Sequence, residues 1–84
     1  MFYVYVLKSE KDNQLYIGYT NDLRRRVREH EAGENQSTKS RRPLKLVYYE
    51  AYRSRDDAMK REKMLKLQGR TLGGLKRRLH GSLG

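Results

Sequence analysis

The sequence predicts an α+β domain, a small three-stranded antiparallel sheet flanked by helices in the order β-β-α-β-α-α. Three segments rich in aromatic and β-branched residues mark the strands, and two stretches of helical periodicity, opened by polar caps and closed by glycine, mark the firm helices. No repeat or linker interrupts them, so the chain of 84 residues reads as a single domain, firm over 1–67, with 68–84 a basic extension or short helix.

Phe2 to Lys8 (FYVYVLK) and Leu15 to Thr20 (LYIGYT) are joined by a polar run containing Asp12-Asn13, the pattern of a β-hairpin. Thr20 and Asn21 are candidate N-caps for a helix over Asp22 to Ala32, with Gly33 as its stop. A polar, basic loop follows up to Pro43. Leu44 to Tyr52 (LKLVYYEAY) is then a third strand, expected to place Leu44, Leu46 and Tyr48 on one face. Ser54 can cap a second helix that carries Asp56 and Asp57 in its first turn and ends at Gly69. Leu72, Leu75 and Leu79 have helical spacing in a weaker final segment, Thr71 to His80, which Gly73 and Gly74 interrupt. All seven tyrosines lie in the strand segments, where they can fill a small sheet and keep their hydroxyls wet.

A chain this short buries only about 60% of its unfolded surface, and with no cysteine its fold must rest on packing alone, which fits a cytoplasmic protein. No run of apolar residues approaches the ~20 needed to span a bilayer. Twenty basic against ten acidic residues give a formal charge of +10, a field that favours a polyanion, with nucleic acid the first candidate and no membrane role expected. The excess is concentrated after Tyr52, where ten basic residues face three acidic ones.

Two polar residues stand where the core pattern expects apolar ones. In the first helix Leu23, Arg26, Val27 and His30 share one stripe, so Arg26 is the arginine of its cluster that the fold draws inward, while Arg24, Arg25 and Arg28 lie off the stripe. In the second, Ala58, Glu62 and Leu65 form the inward stripe, with Lys60, Arg61 and Lys63 around the carboxylate. A buried guanidinium needs an anionic partner. The two residues therefore form either a structural ion pair between the helices or parts of a site.

The hairpin carries Tyr3-Val4-Tyr5 and Tyr16-Ile17-Gly18, with Tyr5 and Tyr16 eleven positions apart. This pair of motifs resembles that of the GIY-YIG nucleases. An arginine ten residues past the second motif's tyrosine matches Arg26, a histidine four further on matches His30, and a lone glutamate on a later helix matches Glu62. The resemblance runs from Phe2 to about Leu67 and is nearest to small single-domain bacterial members, which are similar to the N-terminal nuclease domain of the excision-repair endonuclease. Two positions depart from the pattern. Tyr3 stands where many members have glycine, and Tyr19 where repair nucleases place a lysine.

The resemblance implies a metal-dependent endonuclease that hydrolyses nucleic-acid phosphodiesters, in DNA repair or processing. Tyr5, Tyr16, Arg26, His30 and Glu62 are its expected catalytic residues. Glu62 is expected to hold one Mg²⁺ or Mn²⁺, and Arg26 to offer its planar fork to the scissile phosphate. Tyr5 is the expected proton acceptor or water positioner. A free phenol has a pKa of about 10, so this role requires that nearby cations lower it, and an alkaline optimum follows. His30 is expected either to shuttle a proton or bind phosphate, or to be a hydrogen-bonded core residue. Lys39, Arg41 and Arg42 in the loop and Arg70, Lys76, Arg77 and Arg78 near the end are expected phosphate contacts. The expected partner is nucleic acid, DNA favoured over RNA, met by a monomer or weak homodimer. The alternative is a catalytically inactive nucleic-acid-binding domain on the same scaffold.

Overall fold

The computed structural model describes residues 1–69. It contains strands β1 (Phe2–Ser9) and β2 (Leu15–Thr20), helix α1 (Leu23–Glu31), a short 3₁₀ turn (Lys39–Arg41), strand β3 (Leu44–Tyr52) and helix α2 (Arg55–Gly69). The α+β class and the order β-β-α-β-α are as predicted. The final helix expected over 71–80 lies outside the described residues. None of the described helices is long and apolar enough to cross a membrane.

The sheet is antiparallel in the order β2-β1-β3, so the aromatic first strand is central and pairs on both edges. The hairpin turn forms because Asn13 accepts a left-handed φ of 60° and the Asp12 carboxylate takes the Gln14 N–H at 2.9 Å. Helix α1 starts one residue later than expected. Its cap is Asp22, which accepts the Arg25 N–H at 3.2 Å, whereas the Thr20 hydroxyl turns back to accept the N–H of Asp22 at 3.0 Å. Gly33 ends the helix with φ of 78°, and a Cβ there would lie 2.6 Å from the Arg42 guanidinium carbon. The predicted cap of α2 is present, with the Asp57 N–H donating to Ser54 Oγ at 3.3 Å.

Side chains alternate across β1 and split the core in two. Val4 and Val6, with Ile17, pack against Ala58 and Leu65 of α2, while Tyr5 and Leu7 pack with Leu44, Leu23 and Val27 on the side of α1. One expectation is corrected here. Leu44 and Leu46 face α1, but Tyr48 faces α2, because the β1–β3 register shifts between Val6 and Leu7 and leaves Val47 as an extra residue on β3. A bulge of this kind reverses the alternation beyond it.

Packing on the α2 face is fastened by Glu50. Its carboxylate accepts Arg61 Nε at 2.8 Å, a second Arg61 nitrogen at 3.1 Å, the Tyr52 hydroxyl at 2.5 Å and the Tyr48 hydroxyl. Burial acts to raise the Glu50 pKa but is outweighed by the bonds from Arg61, Tyr48 and Tyr52, which hold it at about 2. Burial first, then the bond to Glu50 and its charge, push Tyr52 up to about 12 against a downward pull from Arg61. Arg61, which the sequence suggested only as a charge near Glu62, therefore clamps α2 to β3.

Candidate active site

The α1 face of the sheet holds a cluster of polar side chains centred on Tyr5. Tyr5 is 1% exposed, and its hydroxyl lies 2.9 Å from Nε2 of His30, itself 0% exposed. Nδ1 of His30 lies 2.7 Å from the buried hydroxyl of Thr38. Tyr16 completes the group, its ring centroid 6.4 Å from that of Tyr5 and 5.1 Å from that of His30. Gly18 makes room for it, since a Cβ at this position would overlap the Tyr5 hydroxyl.

These contacts follow from local structure. Tyr5 and Gly18 are cross-strand partners on one face of the hairpin, and Tyr16 sits opposite Leu7 on the same face. His30 reaches them from the last turn of α1, one helical stripe below Leu23 and Val27. Thr38 arrives from the loop, which is tied to the end of β1 where Ser9 Oγ donates to the Arg41 carbonyl at 2.7 Å.

The His30 ring satisfies two tautomers. In one, Tyr5 O–H donates to Nε2 and Nδ1–H donates to Thr38; in the other, Thr38 O–H donates to Nδ1 and Nε2–H donates to the Tyr5 oxygen. Interchange between them carries a proton across the imidazole, so the three side chains form a relay. Burial, then the Arg26 charge, lowers the His30 pKa against an opposing pull from Glu29, which keeps a ring nitrogen available as an acceptor at neutral pH.

For Tyr5 the shift reverses the expectation. Burial and then Tyr16 push its pKa up, Arg26 pulls it down, and Glu62 and Glu29 add to the rise, leaving it well above the ordinary phenol value. The Arg26 charge does not by itself turn Tyr5 into a ready phenolate. The sequence showed the positive charge nearby but not the depth of burial.

Arg26 is half-buried, with its side chain 35% exposed, and reaches Glu29 at 3.5 Å. Its Nε is buried without a hydrogen-bond partner among the described residues, an uncompensated donor of the kind that a phosphate oxygen would satisfy. Glu62 does not pair with Arg26, so the structural ion pair between helices is not formed. Its side chain is 23% exposed, and Oε2 meets Lys66 at 3.4 Å. Of the five residues read from the sequence, Tyr5, Tyr16 and His30 are in contact, while Arg26 and Glu62 act on the charge of Tyr5 without touching it.

Among the described residues no three His, Cys, Asp or Glu side chains gather to cage a metal. Glu62 instead offers one partly buried carboxylate with an oxygen not engaged by Lys66, a donor set that fits a hard divalent cation otherwise coordinated by water and phosphate.

Of the expected phosphate contacts, Lys39 is exposed, Arg41 lies 3.7 Å from Asp12, and Arg42 lies over Gly33 with Nε donating to the Lys39 carbonyl at 3.1 Å. Arg70, Lys76, Arg77 and Arg78 lie outside the described residues. Tyr19 points to the α2 face, where its ring stacks on Phe2 at 6.3 Å and 6°. Its departure from the lysine pattern therefore removes no side chain from the Tyr5 face.

The sequence did not single out Thr38 or Glu29. Glu29 follows from α1 spacing as a neighbour of Arg26. Nothing in the local pattern marks Thr38, whose role depends on a loop folding back over the helix end.

Residues 1–77 match the model of the GIY-YIG catalytic domain. A UPF0213 protein of Staphylococcus haemolyticus is 48% identical over 65 residues, covering 76% of this chain and 78% of the relative. One from Haloquadratum walsbyi is 46% identical over 65 residues, covering 76% and 72%. The solution NMR structure of a UPF0213 protein from Bacillus halodurans superposes with a TM-score of 0.50 at 32% identity, over 95% of this chain and 94% of that one. Motifs, topology and relatives agree, and the chain belongs to the GIY-YIG catalytic domain family, a family of nucleases.

Proposed function

We propose that the protein is an endonuclease that hydrolyses phosphodiester bonds of nucleic acid, DNA in preference to RNA, with one Mg²⁺ or Mn²⁺ held by Glu62. The observation that carries this reading is the buried Tyr5–His30–Thr38 relay beside an arginine whose buried Nε lacks a partner among the described residues. A folding role does not account for the Arg26 donor, because an unsatisfied buried donor costs stability.

Arg26 binds the scissile phosphate, exchanging its long contact with Glu29 for charge-assisted bonds to phosphoryl oxygens. The attacking water gives its proton to the Tyr5 oxygen as the Tyr5 proton passes to Nε2 of His30, so the phenol relays without a lasting phenolate. The water oxygen bonds to phosphorus, the bond to the leaving oxygen breaks, and that oxygen takes a proton from solvent. Thr38 holds the ring as it becomes imidazolium, accepting from Nδ1–H. Tyr16 borders the same space and can donate to a phosphoryl oxygen. When bound, the divalent ion supplies charge for the phosphoryl oxygens and makes water more acidic. Exposed lysines and arginines of the loop add affinity without choosing sequence.

The test is incubation of single-stranded, duplex and branched DNA with Mg²⁺ or Mn²⁺. Cleavage is expected from wild type and a loss of at least about 100-fold from Glu62→Ala and from Arg26→Ala. Binding without cleavage by the wild-type protein under every metal condition would replace the enzyme with the inactive nucleic-acid-binding domain.

A further inference from the structure

Tyr3 and Tyr49 are left unused by the catalytic cluster. Their rings meet edge to face, with centroids 6.3 Å apart and planes at 61°, beside a cavity of about 330 Å³ lined by Tyr3, Asn21, Asp22, Leu23, Arg24 and Tyr49. Tyr49 is 54% exposed, an unusual position for a large aromatic side chain in the middle of a strand. An edge contact covers only part of a ring, so stacking surface remains open on the cavity side.

The location connects this cavity to the reaction. Tyr3 precedes Tyr5 by two residues on the same face of β1, about 7 Å along the strand, and Tyr49 is the direct cross-strand partner of Tyr5. A strand placing its phosphate near Tyr5 therefore passes within reach of both rings. The volume is at the low end for small-ligand sites, which run from about 300 to 1,000 Å³, and suits one planar ring system rather than a base pair.

The lining also suits a nucleobase. Asn21 supplies an amide donor and acceptor, and Asp22 keeps an acceptor oxygen beyond the one that caps α1. Arg24 is exposed at the rim and can meet the phosphate of the same nucleotide. Tyr3, which stands where many family members have glycine, provides one wall, so the departure in the first motif creates a surface.

We propose that Tyr3, Tyr49, Asn21, Asp22 and Arg24 form a subsite for one unpaired nucleobase of the bound strand. A base within a duplex keeps both faces stacked and cannot enter, so the occupant comes from a single strand, a flap or a frayed end. This subsite rests on the nucleic-acid reading above but not on cleavage.

The experiment measures fluorescence anisotropy with a labelled short oligothymidylate and with an abasic oligomer of the same length and charge, in EDTA. Wild type is expected to bind the oligothymidylate about tenfold more tightly than the abasic strand. Tyr49→Ala is expected to lose that advantage and keep its abasic affinity, whereas Tyr49→Phe, which preserves the ring, retains it. Equal affinity of wild type for the two strands overturns the subsite, as does an equal loss on both in Tyr49→Ala. Cleavage without base preference would remove the subsite and leave the nuclease. Base preference without cleavage in any metal would remove the nuclease and leave the subsite.

Discussion

On the α2 face of the sheet, Glu50 accepts from Tyr48, Tyr52 and two nitrogens of Arg61, so its oxygens are closed off by donors of the protein itself. On the α1 face, across the same strands, the buried Arg26 Nε has no partner among the described residues and the Tyr5 hydroxyl ends a relay directed at its neighbours. Both faces contain phenols, a guanidinium and a carboxylate. They differ in whether the groups complete one another. Complete pairing fixes a helix in place, whereas incomplete pairing leaves bonding capacity unused.

This difference makes tyrosine a sharp probe. Tyr5→Phe removes the relay oxygen and should lower cleavage by about 10²- to 10⁴-fold, the range for a positioned proton-transfer group. Tyr48→Phe removes a phenol of the same chemistry from the opposite face and should leave turnover unchanged while lowering the melting temperature. Single-turnover rates and thermal melts on both variants separate the faces. A Tyr48→Phe enzyme as impaired as Tyr5→Phe would dissolve the distinction.

Glu50→Gln gives the next effect, read in stability. The carboxylate titrates at about 2 instead of its ordinary 4.5, a displacement of about 3 kcal/mol. Because the folded pKa is depressed, this contribution is fully present above pH 4.5 and is lost as the pH falls through the folded value near 2. Denaturant melts should therefore show Glu50→Gln less stable by about 3 kcal/mol at neutral pH, with the gap closing between pH 4.5 and 2. A gap independent of pH would mean that packing, not charge, sets the loss.

The same comparison shows what a sequence can disclose. Strand and helix positions were legible because their signals are local: aromatic and β-branched enrichment in Phe2–Ser9, the polar start and Gly33 stop of α1, which missed the true cap Asp22 by one residue, and the Ser54 cap. The inward stripes also brought Arg26, His30 and Glu62 to attention through periodicity alone. Three features were hidden by long-range geometry. The bulge at Val47 sent Tyr48 to the opposite face from Leu44 and Leu46. Arg61 shares the inward arc of α2 with Glu62, and only the position of Glu50 across the sheet decides that it is a clamp. The direction of the Tyr5 shift depends on how completely α1 and β2 cover the ring, which charge counting does not reveal.

Thr38 offers the finest test, because it is as buried as the apolar core yet bonds only through its link to His30 and the loop backbone. Valine has nearly the same shape but cannot accept from Nδ1–H. In the relay the hydroxyl steadies the imidazolium more than the neutral ring, so its loss should lower kcat about tenfold, within the usual worth of one hydrogen bond to a charged group. It should also lower the His30 pKa further below 6.5, moving the acid limb of the kcat profile to lower pH. Thr38→Ser restores the oxygen and should recover both rate and profile. A structural role would slow the enzyme without moving the limb. A valine variant with an unmoved limb would therefore reduce Thr38 to packing and leave Tyr5 and His30 as an isolated pair.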